Sequence, residues 1–481
     1  MMRRQMKLMG WLFVAIFTAC TSENPFSADD ETAEDLQQLV INLSAEGDRL
    51  TTRAGRPLHS SEPRQYVQHV TLYVTNTQGI VLQKEIGRQE WETAHDYQYG
   101  KQLKVTFRDS DGERLPKGDY TIYAVAFSTP TDYTVRPATY EQTTINAISG
   151  ENFDDEKIVS FDPKNFSAVL DGSKTDGEEI FAGKADVTVN RIIENTKGGN
   201  SAVITLNRQV AGTIGYFTNI PAKVGDAVPT RIRLVAANKN NTVNFINMIS
   251  GETVTSDSDK AATYVVNGST TGFLEDEMVS FYNTPANKGY VVYEVELADF
   301  FPYANQTGKT FADCDLDGDG YVGKKDVDKN IEEQSIIPNF WTNPNDTLTH
   351  LQTLENGSVY GSQFLIPFCW KEGYNTFELQ LLGTGSSGED IFLKAWNVKV
   401  SKNQLVVDTD IPSVSTGVIV TVEGDKSESC FNVYRNHMYT LGKKTSDTDC
   451  SKDVPLDLSR EIELVITINT LWKENENMTI N

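Results

Sequence analysis

Residues 461–469 read Glu-Ile-Glu-Leu-Val-Ile-Thr-Ile-Asn, with Ile462, Leu464, Ile466 and Ile468 at every second position. A period of two belongs to a strand, because successive side chains leave the backbone on opposite faces. The same alternation recurs upstream. Leu39, Ile41 and Leu43 alternate with Val40 and Asn42. Val70, Leu72 and Val74 alternate with Thr71, Tyr73 and Thr75, and Gln78-Gly79 supplies a turn before Ile80 and Leu82. Tyr120, Ile122, Ala124 and Ala126 repeat the pattern after Lys117-Gly118-Asp119. Gly, Asn and Asp clusters separate these runs, and no long stretch sustains a helical period. The expectation is a mostly β chain of antiparallel sheets, each with one buried face, built as sandwiches in preference to barrels.

The chain has 481 residues, enough for two or three domains. Its 39% hydrophobic content supports packed cores. With 43 Lys and Arg against 67 Asp and Glu, the formal charge is −24, which repels phosphate backbones and argues against a nucleic-acid partner. A boundary is expected at the Gly-rich segment Glu194-Asn-Thr-Lys-Gly-Gly-Asn-Ser201, before the run that starts at Val203. That divides the chain into an N-terminal sandwich at 58–198 and a C-terminal one at 199–481, whose excess length falls in a loop-rich insertion at 251–350.

Arg3, Arg4 and Lys7 precede a short apolar run, Leu8 to Phe17, which suits the core of an export signal and is too short for a stable span. It ends Phe17-Thr18-Ala19-Cys20. Small residues before a Cys resemble a bacterial lipobox, so residues 1–19 are expected to be a lipoprotein signal and Cys20 the acylated (palmitate-bearing) first residue. The alternative is a plain secretory signal with an incidental Cys. Residues 20–57 then comprise an acidic tether and the 39–43 strand. An outer-membrane, surface-exposed lipoprotein is the expected location.

Several segments together resemble the Bacteroidales fimbrillins, the β-sandwich subunits of type V pili. They are Thr52-Arg53-Ala54, the hairpin VTLYVTNTQGIVL at 70–82, and Leu115-Pro-Lys-Gly-Asp-Tyr-Thr121. Ile180-Phe-Ala-Gly183 followed by LNRQVAGTIGY at 206–216, and Val433-Tyr-Arg-Asn-His-Met-Tyr439, complete the set. The resemblance implies two tandem transthyretin-like sandwich domains, fimbrial subunits as partners, adhesion to host or bacterial surface ligands, and no catalysis. It also implies assembly by strand exchange: a protease cuts after an Arg, the N-terminal strand leaves, and a neighbour's strand fills the groove. Here 39–43 would be the removable strand, Arg49, Arg53 and Arg56 the processing points, and 461–472 the donor. A permanent edge strand beside an exposed Arg-rich loop is the plainer reading. A glycan-binding surface lipoprotein is the alternative function, for which Trp91, Trp341, Trp370, Trp396 and Trp472 show no cluster in sequence. Arg208 and Arg435 interrupt apolar runs and are read as buried charge pairs that fix strand register.

Asp315-Leu-Asp317-Gly-Asp319-Gly320-Tyr321-Val322-Gly-Lys-Lys-Asp326 matches a twelve-residue calcium loop. Asp315, Asp317 and Asp319 supply oxygens, Gly320 the sharp turn, Tyr321 a backbone carbonyl, and Asp326 the last position, where a Glu would reach farther. One structural calcium is expected, and an acidic surface turn is the alternative. Cys314, Cys369, Cys430 and Cys450 remain after Cys20, and an exported chain permits disulfides among them. Cys430–Cys450 is the expected pair, with buried thiols as the alternative. Gly383-Thr-Gly385-Ser-Ser-Gly388 satisfies G-x-G-x-x-G but precedes a strand, so it reads as a hairpin loop and not as a phosphate cradle.

Overall fold

The computed structural model describes residues 37–44, 67–97, 100–108, 111–127, 133–136, 145–170, 178–189, 203–245, 268–269, 278–333, 354–368, 375–402, 409–412, 419–422, 427–435, 437–446, 449–460 and 463–469. These are mostly strands, with short helical turns and one ten-residue helix, Lys324–Glu333.

The first large sheet has eight strands. In spatial order they are Ile80–Ile86, His69–Thr75, Gly118–Phe127, Ile180–Val189, Val203–Arg208, Gln37–Ser44, Gly100–Phe107 and His95–Tyr97. Every pairing is antiparallel except that of Gln37–Ser44 with Val203–Arg208. Its central strands are buried on both faces, which corrects the expectation of a single buried face. Val70, Leu72 and Val74 enter one core with Ile122, Phe181, Ile204 and Leu206. On the opposite face, Tyr73 joins a second core, its ring edge-on to Phe166 at 5.4 Å. Thr71 and Thr75 are buried as well, their hydroxyls satisfied by Glu85 and by the Thr121 carbonyl. A Thr hydroxyl with a partner tolerates burial, so an alternating pattern of Val and Thr does not by itself signal a wet face.

A four-stranded sheet covers that second face, in the order Gly268–Ser269, Thr242–Asn244, Ser167–Leu170, Tyr133–Arg136. Phe166 and Phe245, 4.9 Å apart, fill the layer between. The expected cut at 198/199 therefore does not follow the strand pairing. Val203–Arg208 completes the first sheet, and residues 242–244 and 268–269 extend a sheet begun by 133–136. The chain changes sheets at Gln209-Val210 instead.

The second large sheet runs Met278–Ser280, Lys288–Glu296, Arg231–Ala236, Phe377–Thr384, Asp390–Val400, Glu463–Asn469, Met438–Leu441, Ala211–Thr218, Ser358–Leu365, with Leu456–Asp457 also pairing Ala211–Thr218. Glu463–Asn469 is a connecting strand. Residues 463–466 pair in parallel with 397–400, and residues 467–469 pair antiparallel with 438–440. Leu464 and Ile466 face the core while Val465 is 54% exposed, as the alternation requires. The expectation that this segment is free to be donated is corrected: both of its halves are used inside the chain. Close approach within this sheet depends on glycine, because a Cβ on Gly215 would lie 2.1 Å from the Tyr293 hydroxyl. The Gly383–Gly388 segment is a hairpin loop between two strands, as expected.

Candidate functional site

Two places bear on function: the slot occupied by Gln37–Ser44, and the acidic loop at 315–326. The N-terminal strand pairs through all eight residues with Gly100–Phe107, and Val40 to Leu43 pair with Val203 to Leu206. It is thus an inner strand, which corrects the reading of a permanent edge strand. Its register sets Leu39 and Ile41 opposite Val105 and Leu103, and Ile41 and Leu43 opposite Ile204 and Leu206. Those four partners are buried in one core. Neighbouring strands lie about 4.8 Å apart, so removing this one opens a slot about 10 Å wide with unpaired backbone along both rims. Cys20, Arg49, Arg53 and Arg56 lie outside the described residues.

The acidic loop begins from a 3₁₀ turn, Phe311–Cys314, closed by a capping box in which Thr310 and Asp313 bond each other's backbone amides. Gly320, with φ of 91°, turns the loop into the short strand Tyr321–Val322, which pairs with Ile220–Pro221. Ala222 donates to the Gly320 carbonyl at 2.9 Å, so Tyr321 and Pro221 form a pair without mutual hydrogen bonds and the Tyr321 carbonyl stays outside that ladder. The exit is packed backbone to backbone, since a Cβ on Gly357 would meet Gly323 at 2.2 Å.

Within this frame Asp315, Asp317 and Asp326 each offer an oxygen, all within 4.8 Å of one another. Calcium–oxygen bonds of about 2.4 Å allow two ligands to stand at most about 4.8 Å apart, so the three carboxylates fit one calcium. Asp319 does not join them: its Oδ1 accepts from the Tyr321 amide and its Oδ2 from Lys325 at 3.0 Å. Asp326 is 2% exposed and accepts from the amides of Leu316, Asp317 and Gly323. Burial raises its proton affinity and the Asp317 charge adds to this, while the three amides oppose both. At neutral pH the ionised carboxylate is therefore a liability in the apo loop, and a bound cation would remove it.

Cys430 and Cys450 are not bonded to each other, which corrects the expected disulfide. They close separate turns. Cys430 donates its amide to Ser427 ahead of the 431–433 segment, whereas Cys450 sits in the tip of the hairpin joined by Lys443 and Val454. Cys314 is a buried thiol, pushed up to about 12 by desolvation, and forms no bridge to the loop.

No family model matches the chain, and no curated protein matches it in sequence. Solved structures do. The chain is similar to a fimbrial assembly protein from Parabacteroides distasonis, at 10% identity over 90% of this chain and 97% of that one, with a TM-score of 0.30. It is also similar to the C-terminally truncated tip fimbrial protein Mfa3 from Porphyromonas gingivalis, at 10% identity over 90% and 99%, with a TM-score of 0.28. These are distant fold likenesses.

The two arginines of the sheet junction differ. Arg208 and Glu179 form a fully buried pair at 2.6 Å, with Phe181 packed against the guanidinium, as expected for a register-fixing pair. Among the described residues Arg435 has no such carboxylate, and it donates instead to Gln209 Oε1 at 3.1 Å. Two buried groups had no sequence signal. Lys444 and Asp453 pair at 2.9 Å across the hairpin, and Glu378 accepts from the amides of Tyr282 and Asn283 and from Gln380.

Proposed function

We propose that the chain is a cell-surface fimbrial subunit of two tandem transthyretin-like sandwiches that assembles by strand complementation and contributes to adhesion. The observation that carries this reading is the position of Gln37–Ser44. An N-terminal strand is clasped on both sides within a sheet whose other strands come from residues 69 to 208, and Arg49, Arg53 and Arg56 follow it in sequence. Cutting after any of these arginines separates the strand, and the lipid at Cys20, from the rest of the chain. The vacated slot then takes an apolar strand from a neighbouring subunit by β-augmentation. Uncut, the lipid holds the subunit on the outer membrane. One calcium at Asp315, Asp317 and Asp326, with the Tyr321 carbonyl, is a structural staple that fixes the loop against Ile220–Pro221. Catalysis has no part in this reading.

The test is the N-terminal residue of the protein in sheared surface material and in membranes, read by mass spectrometry. A start just after Arg49, Arg53 or Arg56 in the sheared fraction is expected. A lipidated Cys20 found in membranes, with no processed form anywhere, would remove the polymerising role.

A glycan-binding surface lipoprotein is favoured by one observation. Tyr282 and Phe392 are 42% and 36% exposed, with ring centroids 6.0 Å apart beside exposed Ile391. Trp91 and Trp396 are buried and contribute nothing to such a platform. Retention on polysaccharide resins that is lost in Tyr282→Ala/Phe392→Ala separates this reading from the first.

A further inference from the structure

Two strands belong to neither large sheet. Thr409–Pro412 and Ile419–Val422 pair antiparallel with each other, Thr409 opposite Val422 and Pro412 opposite Ile419. Among the described residues neither pairs with any other strand. A two-stranded sheet of this kind is marginal in water, because each strand has a ladder on one side only. The two strands differ as sequence. Pro412 has no N–H to give to a ladder, which confines Thr409–Pro412 to an edge. Ile419-Val420-Thr421-Val422 keeps every N–H and is β-branched throughout, a composition that suits an inner strand.

The slot filled by Gln37–Ser44 takes a strand of that kind. Val40-Ile41-Asn42-Leu43 is the stretch paired on both sides, with Val203 to Leu206 and with Lys104 to Lys101. Ile419-Val420-Thr421-Val422 matches it position by position: apolar, apolar, short polar, apolar. In that register Val420 and Val422 take the places of Ile41 and Leu43, opposite Ile204 and Leu206, and Thr421 takes that of Asn42, opposite Thr205. Glu463–Asn469 has a similar alternation, but both of its halves already pair inside the chain.

We propose that Ile419–Val422 is the strand this chain donates, and that its acceptor is the slot vacated by Gln37–Ser44 in a second copy of the chain. The inference rests on the strand-complementation reading and names the donor. The transfer is an exchange of pairings with no covalent step. In its own sheet Ile419–Val422 has one neighbour, Thr409–Pro412, whereas the slot offers two. One short ladder is given up and two are formed, and main-chain hydrogen bonds supply the affinity. An inner strand needs its N–H groups on both sides, so Pro412 bars the companion strand from the same place.

The experiment uses full chains in two states. Chains cut between residues 45 and 66 by an arginine-specific protease, then quenched and freed of residues 37–44, supply open slots. Uncut chains in excess, whose slot is filled, supply the strand. Mixtures are read by native mass spectrometry and hydrogen exchange. A complex of one cut and one uncut chain is expected, with the amides of 419–422 more protected, and those of 409–412 less protected, than in the uncut chain alone. Val420→Lys/Val422→Lys in the uncut chain places charges opposite Ile204 and Leu206 and should lower capture by about tenfold or more. Suppose an added 37–44 peptide is captured while this variant donates as well as the native chain, or while exchange at 419–422 does not change. The proposal then falls and strand complementation stands. Protection of 419–422 in a cut chain that stays monomeric and excludes the peptide assigns the strand to its own slot and also overturns the proposal. Cut chains that capture neither the peptide nor an uncut chain overturn both readings.

Discussion

The two terminal strands, Gln37–Ser44 and Glu463–Asn469, look alike as sequence and are built into the molecule differently. Each is a short apolar alternation and each ends between two other strands. The N-terminal strand lies wholly inside one sheet, with the same residues facing partners on both sides. The C-terminal strand divides its pairing, four residues to one set of strands and three to another, and so joins five strands of the sheet to the rest. A strand that only fills a slot is replaceable by any strand of similar pattern. A strand that connects two parts is not, because its loss separates them. Replaceability follows from topology, and hydrophobicity alone does not report it.

The largest effect expected from breaking this comparison is at Ile466, which is fully buried. Ile466→Asp should abolish folding, and even Ile466→Ala should cost about 2–5 kcal/mol in denaturant unfolding. The matching change Ile41→Asp should instead free the N-terminal strand and leave a folded, aggregation-prone body. Equal loss of structure in both variants would erase the distinction between the strands.

The junction between the sheets should respond next. Arg208→Ala takes the guanidinium away from the buried Glu179 carboxylate, at a cost of about 3–5 kcal/mol, whereas Arg208→Met/Glu179→Leu should be nearly neutral. Denaturation midpoints of the two variants check this directly.

Calcium comes third. At a hundredfold excess over its dissociation constant, one bound ion adds about 2.7 kcal/mol to stability. Thermal unfolding should therefore shift upward with calcium and not with sodium, and Asp315→Ala/Asp317→Ala should be insensitive to the ion. An unresponsive native chain would leave the loop as an acidic surface turn.

The last effect is confined to acid pH and is at His437, whose proton affinity burial lowers to about 4. The unfolded chain, with an imidazole near 6.5, then binds more protons in between. Stability from this group is complete above about pH 6.5 and declines as the pH falls toward 4. His437→Gln should flatten that part of the stability profile relative to the native chain.

Much of this architecture was legible in particular residues. The alternation at 70–82 and 461–469 reports strands because each strand's period is local. The acidic loop was legible for the same reason, since twelve consecutive residues carry nearly all of it. What was not legible depends on distant partners. Nothing in Leu39 to Leu43 names Val203–Arg208 as a parallel neighbour, and Thr71 and Thr75 read as polar until the second layer covers them. Arg208 and Arg435 look equivalent until Glu179, 29 residues before Arg208, proves to serve only one of them. Asp319 was placed among the ligands by spacing, and in the fold it lies outside the cluster of Asp315, Asp317 and Asp326. The domain cut at 198/199 followed composition, whereas the sheets exchange strands across it.

The most direct test of replaceability is to cut the purified chain with an arginine-specific protease between residues 45 and 66 and follow the products by native mass spectrometry. The account predicts that the fragment bearing residues 37–44 leaves and that the remaining chain forms an oligomer ladder or captures an added peptide of that sequence. A fragment that stays bound to a monomeric chain, or a chain that unfolds when the fragment leaves, would contradict it.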